Sequence, residues 1–181
     1  FLVAPLLDAT SVRDISLPAG RWYDWWQPGD AAIDGDVTLT AYAMPERERM
    51  PLFVREGAIV PLHVGSDATG LGNASRKEAL TVLIWPAASQ TSFDLVDHDD
   101  AATAITARTN EVTLSRAART TYLRIRRDTA PATVSASGTS LVEVASDAAL
   151  DAAATGWRYD AANKFLWVKL AAGGTTTVTS T

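Results

Sequence analysis

An all-β fold, arranged as two antiparallel β-sandwich domains in series, is what this sequence predicts, and three observations carry the prediction. Short apolar or alternating stretches recur at roughly 8–12-residue spacing, punctuated by Pro, Gly and Asp-Gly. No long stretch keeps a helical period. The one helix-like segment is Ser146 to Gly156 (SDAALDAAATG), with Ser146 or Asp147 as its cap and Gly156 as its stop. Between Val64 and Lys77 periodicity lapses and three glycines intervene. The boundary therefore falls there, giving domains at residues 1–76 and 77–181.

The first domain opens with an apolar strand, Phe1 to Ala4, interrupted at Pro5. Val12 to Leu17 sets Val12, Ile15 and Leu17 among polar neighbours and breaks at Pro18-Ala19-Gly20. Arg21 to Trp26 (RWYDWW) reads as a strand rich in aromatics, closed by Pro28-Gly29-Asp30. Alternation puts Trp22 and Trp26 on one face and Tyr23 and Trp25 on the other, so at least one pair belongs to the core. Asp34-Gly35 is a hairpin-type turn signal. Asp36 to Tyr42 alternates, with Val37, Leu39 and Ala41 opposed to Thr38, Thr40 and Tyr42. The domain is organised around Pro45 to Pro61 (PERERMPLFVREGAIVP). There two apolar strands, Leu52-Phe53-Val54 and Ala58-Ile59-Val60, meet at a corner in which Gly57 supplies a positive φ, and Pro61 ends the second strand. Arg55 and Glu56 emerge at this corner and are expected to face a neighbouring domain, where an Arg can pair bidentately with a carboxylate.

In the second domain Leu80 to Trp85, Ser92 to Val96 and Glu111 to Ser115 read as strands, with shorter ones around Val134, Leu141, Val142 and Val144. Tyr122 to Arg126 sends Leu123 and Ile125 inward and Arg124 and Arg126 outward. Gly156 to Tyr159 and Phe165 to Leu170 flank Asp160-Ala161-Ala162-Asn163 as a hairpin. The run Thr175 to Thr181 is expected to be a last strand fading into a linker.

Composition narrows the function. The chain is 47% hydrophobic and 20% charged, as globular proteins are. Its net charge is −5 and its basic residues are scattered; even the densest cluster, Arg124, Arg126 and Arg127, sits on a strand. Nucleic acid is therefore not an expected partner. Absence of cysteine removes disulfides, thiol catalysis and Cys-based zinc sites and leaves the compartment open. The Thr-rich end is compatible with a modular, secreted protein. No stretch approaches the ~20 apolar residues of a membrane span, and Phe1 to Leu7 lacks the basic leader of a signal peptide. A sequence opening at Phe1 in mid-strand is expected of a piece of something longer.

Few residues suggest chemistry. Asp97-His98-Asp99-Asp100 is the densest group of ligating side chains, and Asp97 and Asp99, at alternate positions, share a face on which a calcium with its roughly 6–8 oxygens could sit. The Gly and distal Glu of an EF-type loop are missing, so Asp97, Asp99 and Asp100 read as a solvated turn, and neither metal nor cofactor is expected. His63 lacks a Ser or Cys partner in a nucleophile motif and reads as a strand-end residue. Asn73-Ala74-Ser75 is a glycosylation sequon, meaningful only in a eukaryotic secretory context.

Three motifs stand in order: Leu2-Val3-Ala4-Pro5, then Leu17 to Trp26 (LPAGRWYDWW), then Pro51 to Pro61 (PLFVREGAIVP). Together they resemble the C-terminal region of family-31 glycoside hydrolases, the α-glucosidase and α-xylosidase group, over Phe1 to Leu62. In that family an LVAP-type strand leaves a catalytic (β/α)8 barrel and enters a proximal β-sandwich. Leu80 to Pro86 and Phe93 to Asp100 are similar to the family's distal sandwich, with Val96 where Tyr is usual and Ala101 where Gly is usual. The resemblance implies non-catalytic accessory domains whose partner is the preceding barrel, in the same or a companion chain, with carbohydrate substrate involved only indirectly. The two catalytic aspartates would lie on that barrel, where retaining hydrolysis needs carboxyls roughly 5–5.5 Å apart; no catalytic residue is carried over to this chain. Tryptophans outside the core would pack on the barrel. The alternative is a stand-alone carbohydrate-binding module in which Trp25 and Trp26 grip a sugar.

Overall fold

Strands make up nearly all the regular structure, as predicted. The computed structural model describes residues 1–5, 11–44, 49–62, 73–96 and 101–181, and these form two compact units, Phe1–Glu56 and Gly57–Thr181. The expected boundary stretch, Val64 to Lys77, lies within the second unit's range. The reason is a strand pairing. The two strands of the PLFVREGAIVP corner join different sheets: β6 (Leu52–Arg55) joins the first unit's, and β7 (Ile59–Leu62) pairs with β8 (Leu80–Ile84) in the second. Gly57 has the positive φ expected of it, +87°. Pro61, expected to end its strand, lies inside β7 opposite Val82. It is tolerated because β7 is an edge strand, where a missing N–H breaks no ladder.

In the first unit β1 (Leu2–Val3), β6, β3 (Arg21–Asp24) and β4 (Ile33–Asp34) form one sheet in the order β1-β6-β3-β4, and β2 (Val12–Leu17) pairs with β5 (Val37–Ala43) as a ribbon. Ala4, Ile15, Leu17, Trp22 and Phe53 are the buried core. β1 is less buried than its apolar sequence predicts: Leu2 packs on the core, but Phe1 and Val3 are 58% and 50% exposed. Asp34-Gly35 does not close a hairpin between paired strands. It hands the chain from β4, paired with β3, to β5, paired with β2. The alternation of β5 is also broken by a bulge opposite Asp14, where Ala41 has φ 51° and gives its N–H to Asp14 Oδ1 at 2.8 Å. The extra residue flips the face. Leu39 and Tyr42, expected on opposite sides, therefore both pack on the core.

The second unit is a sandwich of two sheets. One has the order β15-β16-β12-β8-β7 and the other β14-β13-β17-β11-β10-β9. The new strands are β9 (Thr91–Val96), β10 (Ala102–Arg108), β11 (Glu111–Leu114), β12 (Thr121–Arg126), β13 (Val134–Ala136), β14 (Thr139–Ser140), β15 (Gly156–Asp160), β16 (Phe165–Leu170) and β17 (Thr176–Ser180). Residues from the facing sides, among them Val82, Ile84, Ile105, Leu123, Val168 and Val178, make the core. Among the described strands one pairing departs from the antiparallel expectation: β8 and β12 run parallel, Leu80 opposite Thr121 through Ile84 opposite Ile125. A parallel pair needs a long crossover, and here the chain supplies it by building β9, β10 and β11 in the other sheet first. The short helix α1 (Asp147–Ala152) is capped by Ser146, whose Oγ accepts the Ala149 N–H at 3.1 Å. It ends before Gly156, which instead begins β15. The hairpin around Asp160 to Asn163 forms as expected. The Thr-rich end does not fade into a linker: β17 is an interior strand, paired with β13 on one side and β11 on the other.

Candidate functional site

In the first unit the aromatic run divides by depth. Trp22 is core, 6% exposed, and its indole N–H donates to the Pro18 carbonyl at 2.8 Å. The strand ends at Asp24, so Trp25 and Trp26 leave the alternation. Asp24 is nearly buried and makes the exit turn, one carboxylate oxygen accepting the Trp26 backbone N–H at 2.8 Å and the other the Tyr42 hydroxyl. Trp25 and Trp26 are half-buried. Phe1 meets the Trp25 ring edge-on at 5.9 Å, while Trp26 donates to the Met50 carbonyl at 2.7 Å and carries the Arg49 guanidinium 4.8 Å from its centroid. Phe1, Val3 and Met50 are all exposed around this turn, so a patch of large apolar side chains marks this side of the sheet.

Arg55 and Glu56 both have partners inside their own unit. The Arg55 guanidinium reaches the Ala19 carbonyl at 3.4 Å, lying over the Gly20 backbone. Glu56 accepts from Arg21 at 3.3 Å. His63 and the Asp97, Asp99 and Asp100 group lie outside the described residues. Among the described residues no three His, Asp or Glu side chains converge as metal ligands.

What the sequence reading missed is the second face of the β12–β16 pair. Arg124 and Arg126, expected outward, are 8% and 5% exposed, because this sheet is covered on both sides and alternation there separates two interiors. The Arg124 guanidinium lies 3.4 Å from the Phe165 centroid, and burial lowers its pKa to about 10 despite the opposing pull of Asp160. Arg126 donates to the Lys164 carbonyl at 3.1 Å and pairs with Asp128 at 2.9 Å. Further along, Arg76 is sandwiched against Tyr122 and Trp167, at 4.5 and 4.6 Å from the ring centroids, and pairs with Asp151 at 2.8 Å. The other Asp151 oxygen accepts from Asn73 at 2.9 Å, so the amide of the sequon is already engaged. Burial would raise the Asp151 pKa, but the hydrogen bonds from Arg76 and Asn73 outweigh it and hold the carboxyl below its ordinary value. Burial, reinforced by Asp151, pushes the Tyr122 phenol up to about 12. With the carboxyl held down and the phenol held up, neither group is poised to exchange a proton near neutrality. The cluster fastens α1 and the Ala74–Arg76 turn to the sheet. The signal for it was the two-residue rhythm of Tyr122, Arg124, Arg126 beside Phe165, Trp167, Lys169, where cations alternate with hydrophobes on paired strands.

Comparison with known proteins bears on the chain as a whole. The glycosyl hydrolase family 31 C-terminal domain profile matches residues 1–60. The first unit is thus similar in sequence to that C-terminal domain. The motif resemblance over Phe1 to Leu62 is thereby borne out. An isomaltosyltransferase of Sporosarcina globispora is 27% identical over 180 residues, 93% of this chain but 16% of that protein. An alpha-glucosidase of Saccharolobus solfataricus is 26% identical over 92 residues, 51% of this chain and 12% of its own length. The cycloalternan-forming enzyme from Listeria monocytogenes, solved with a pentasaccharide substrate, superposes with a TM-score of 0.84 at 24% identity, covering 98% of this chain and 18% of that one. The chain thus spans less than a fifth of each of these proteins, and likeness to the solved enzyme extends the shared fold through the second unit.

Proposed function

We propose that this chain is the non-catalytic C-terminal region of an enzyme that hydrolyses or transfers α-linked glucosyl units. The observation that carries it is the family 31 C-terminal match at residues 1–60. The named relatives favour glucosyl over xylosyl chemistry. The reaction would run on a preceding barrel by a retaining mechanism, with two carboxyls roughly 5–5.5 Å apart. The role of this chain is to buttress that barrel. Phe1, Val3, Trp25 and Met50 are the residues suited to it, since an exposed apolar cluster of this kind marks a surface that another body covers. Arg55 and Glu56, at the rim of the same sheet, would add polar contacts to the neighbouring domain.

The test has two arms. The isolated chain should release no product from aryl α-glucosides; genuine turnover would sink the reading. In the enzyme that carries this region, Val3→Asp or Trp25→Asp should lower the melting temperature and the activity together, whereas Val142→Asp, at an exposed position of the second unit, should change neither. A carbohydrate-binding role for Trp25 and Trp26 predicts instead an indole fluorescence change with α-glucans that Trp25→Ala abolishes.

A further inference from the structure

The β10–β11 hairpin turns through Thr109 and Asn110 beside the end of β17, and a groove of about 330 Å³ lies between them. Ala88, Arg108, Asn110, Glu111, Thr179 and Ser180 are among its walls. Its polar groups are fixed before any ligand arrives. The Arg108 guanidinium grips the Glu111 carboxylate through two bonds of 3.1 Å, so the two charges cancel. Arg127 donates to Asn110 Oδ1 at 3.0 Å and to Ser180 Oγ at 2.7 Å, and is itself anchored on the Thr129 carbonyl at 3.1 Å. With its Oδ1 engaged, the Asn110 amide has one orientation, and its Nδ2 donates to no described residue.

The strand register continues this wall across the sheet. Arg108 stands opposite Glu111, Glu111 opposite Thr179, Thr179 opposite Ser135, and Ser135 opposite Ser140. A second row on the same face runs Ser92, Thr106, Thr113, Thr177. Neighbouring hydroxyls touch at 2.7 Å (Ser135 and Thr179) and 3.0 Å (Thr113 and Thr177). The groove therefore opens onto two rows of short hydroxyl side chains at the strand spacing of ~4.8 Å, whose one ion pair is internally neutralised.

Each candidate ligand class meets this chemistry differently. An ion finds no free counter-charge, because Arg108 and Glu111 are spent on each other and Arg127 is held by Asn110 and Ser180. A polyol finds complements everywhere, because hydroxyls and the amide offer both donors and acceptors. We propose that the groove binds a neutral saccharide of one or two units, with further units lying along the hydroxyl rows. The volume is at the small end of the roughly 300–1,000 Å³ of ligand sites. No aromatic ring is among its walls, so binding rests on hydrogen bonds and is weak, in the millimolar range. This site belongs wholly to the second unit and does not depend on the reading of the first.

The experiment is a titration of the intact, nitrogen-15-labelled chain with maltose and with isomaltose to tens of millimolar, followed by amide shifts. Saturable shifts grouped at Arg108, Asn110, Glu111 and Thr179, weakened about tenfold in Asn110→Ala and Glu111→Gln, are expected. Each variant's melting temperature is recorded alongside, and Thr179→Val reports on the same groove if either fails to fold. No shifts, shifts confined to the Trp25 and Trp26 indoles, or an equal response to acetate or glycerol would overturn the proposal. None of these outcomes bears on whether the isolated chain turns over an aryl glucoside, so the two readings fail separately.

Discussion

At the scale of single residues, four positions expose the forces at work. Gly35 has no room for a side chain: a Cβ there would sit 1.9 Å from the Pro18 carbonyl oxygen. Gly35→Ala must displace backbone and is expected to cost at least ~2 kcal/mol, read from urea unfolding. Arg76 and Arg124 are both buried guanidiniums against aromatic rings, but only Arg76 is in direct ion-pair contact with a carboxylate, whereas Asp160 acts on Arg124 from beyond bonding distance. Arg76→Met strands Asp151 and should cost about 3 kcal/mol. Arg124→Met gives up a cation–π contact and relieves a desolvated charge, so a change below ~1 kcal/mol is expected. Equal losses for the two would show that pairing is not what matters. Asp151 also sets a pH dependence. Its native pKa is depressed, so its stabilisation is complete above the unfolded value of about 3.9 and fades as pH falls through the native one. Asp151→Asn should flatten that acid limb of the stability curve.

At the scale of elements, local sequence rules held where an element has one wet face and failed where it does not. The β5 ribbon strand illustrates a different failure. Its alternation is sound residue by residue, yet the bulge opposite Asp14 moves Tyr42 to the side of Leu39. Asp14→Ala removes the acceptor for the Ala41 N–H and should cost about 1 kcal/mol, with exchange at that amide accelerated. β12 shows how coverage defeats alternation: all six of its residues are buried, so Arg124 and Arg126 could not be sorted from the core by pattern alone. β17 is the same lesson in a polar key. Its threonines look like a tail, but they pair across the sheet through their hydroxyls while Val178 alone fills the core.

At the scale of the whole molecule, the two units differ in how much they bury. The first has a small core built on Ile15, Leu17, Trp22 and Phe53, within a length at which folding alone is marginal. The second has a continuous core between two sheets. Residues 57–181 produced alone should give a dispersed amide spectrum, and residues 1–56 alone should not. A folded 1–56 fragment would show that the first unit needs no neighbour, which would weaken its assignment as a region that leans on a barrel.

The sequence by itself determined the all-β class, the PLFVREGAIVP corner with its left-handed Gly57, a short capped helix after Ser146 or Asp147, the hairpin at Asp160 to Asn163 and the family resemblance. These are legible because each rests on local φ/ψ preference or on an ordered string of residues. The tertiary structure alone decided which sheet each strand joins, the parallel pairing of β8 with β12, the burial of Arg124 and Arg126, and the groove where Asn110 meets Ser180. Those depend on strands far apart in the chain coming side by side, and the free energy that selects such partners, apolar area removed from water and buried charges answered by opposite ones, is a property of contacts that no single stretch of sequence contains.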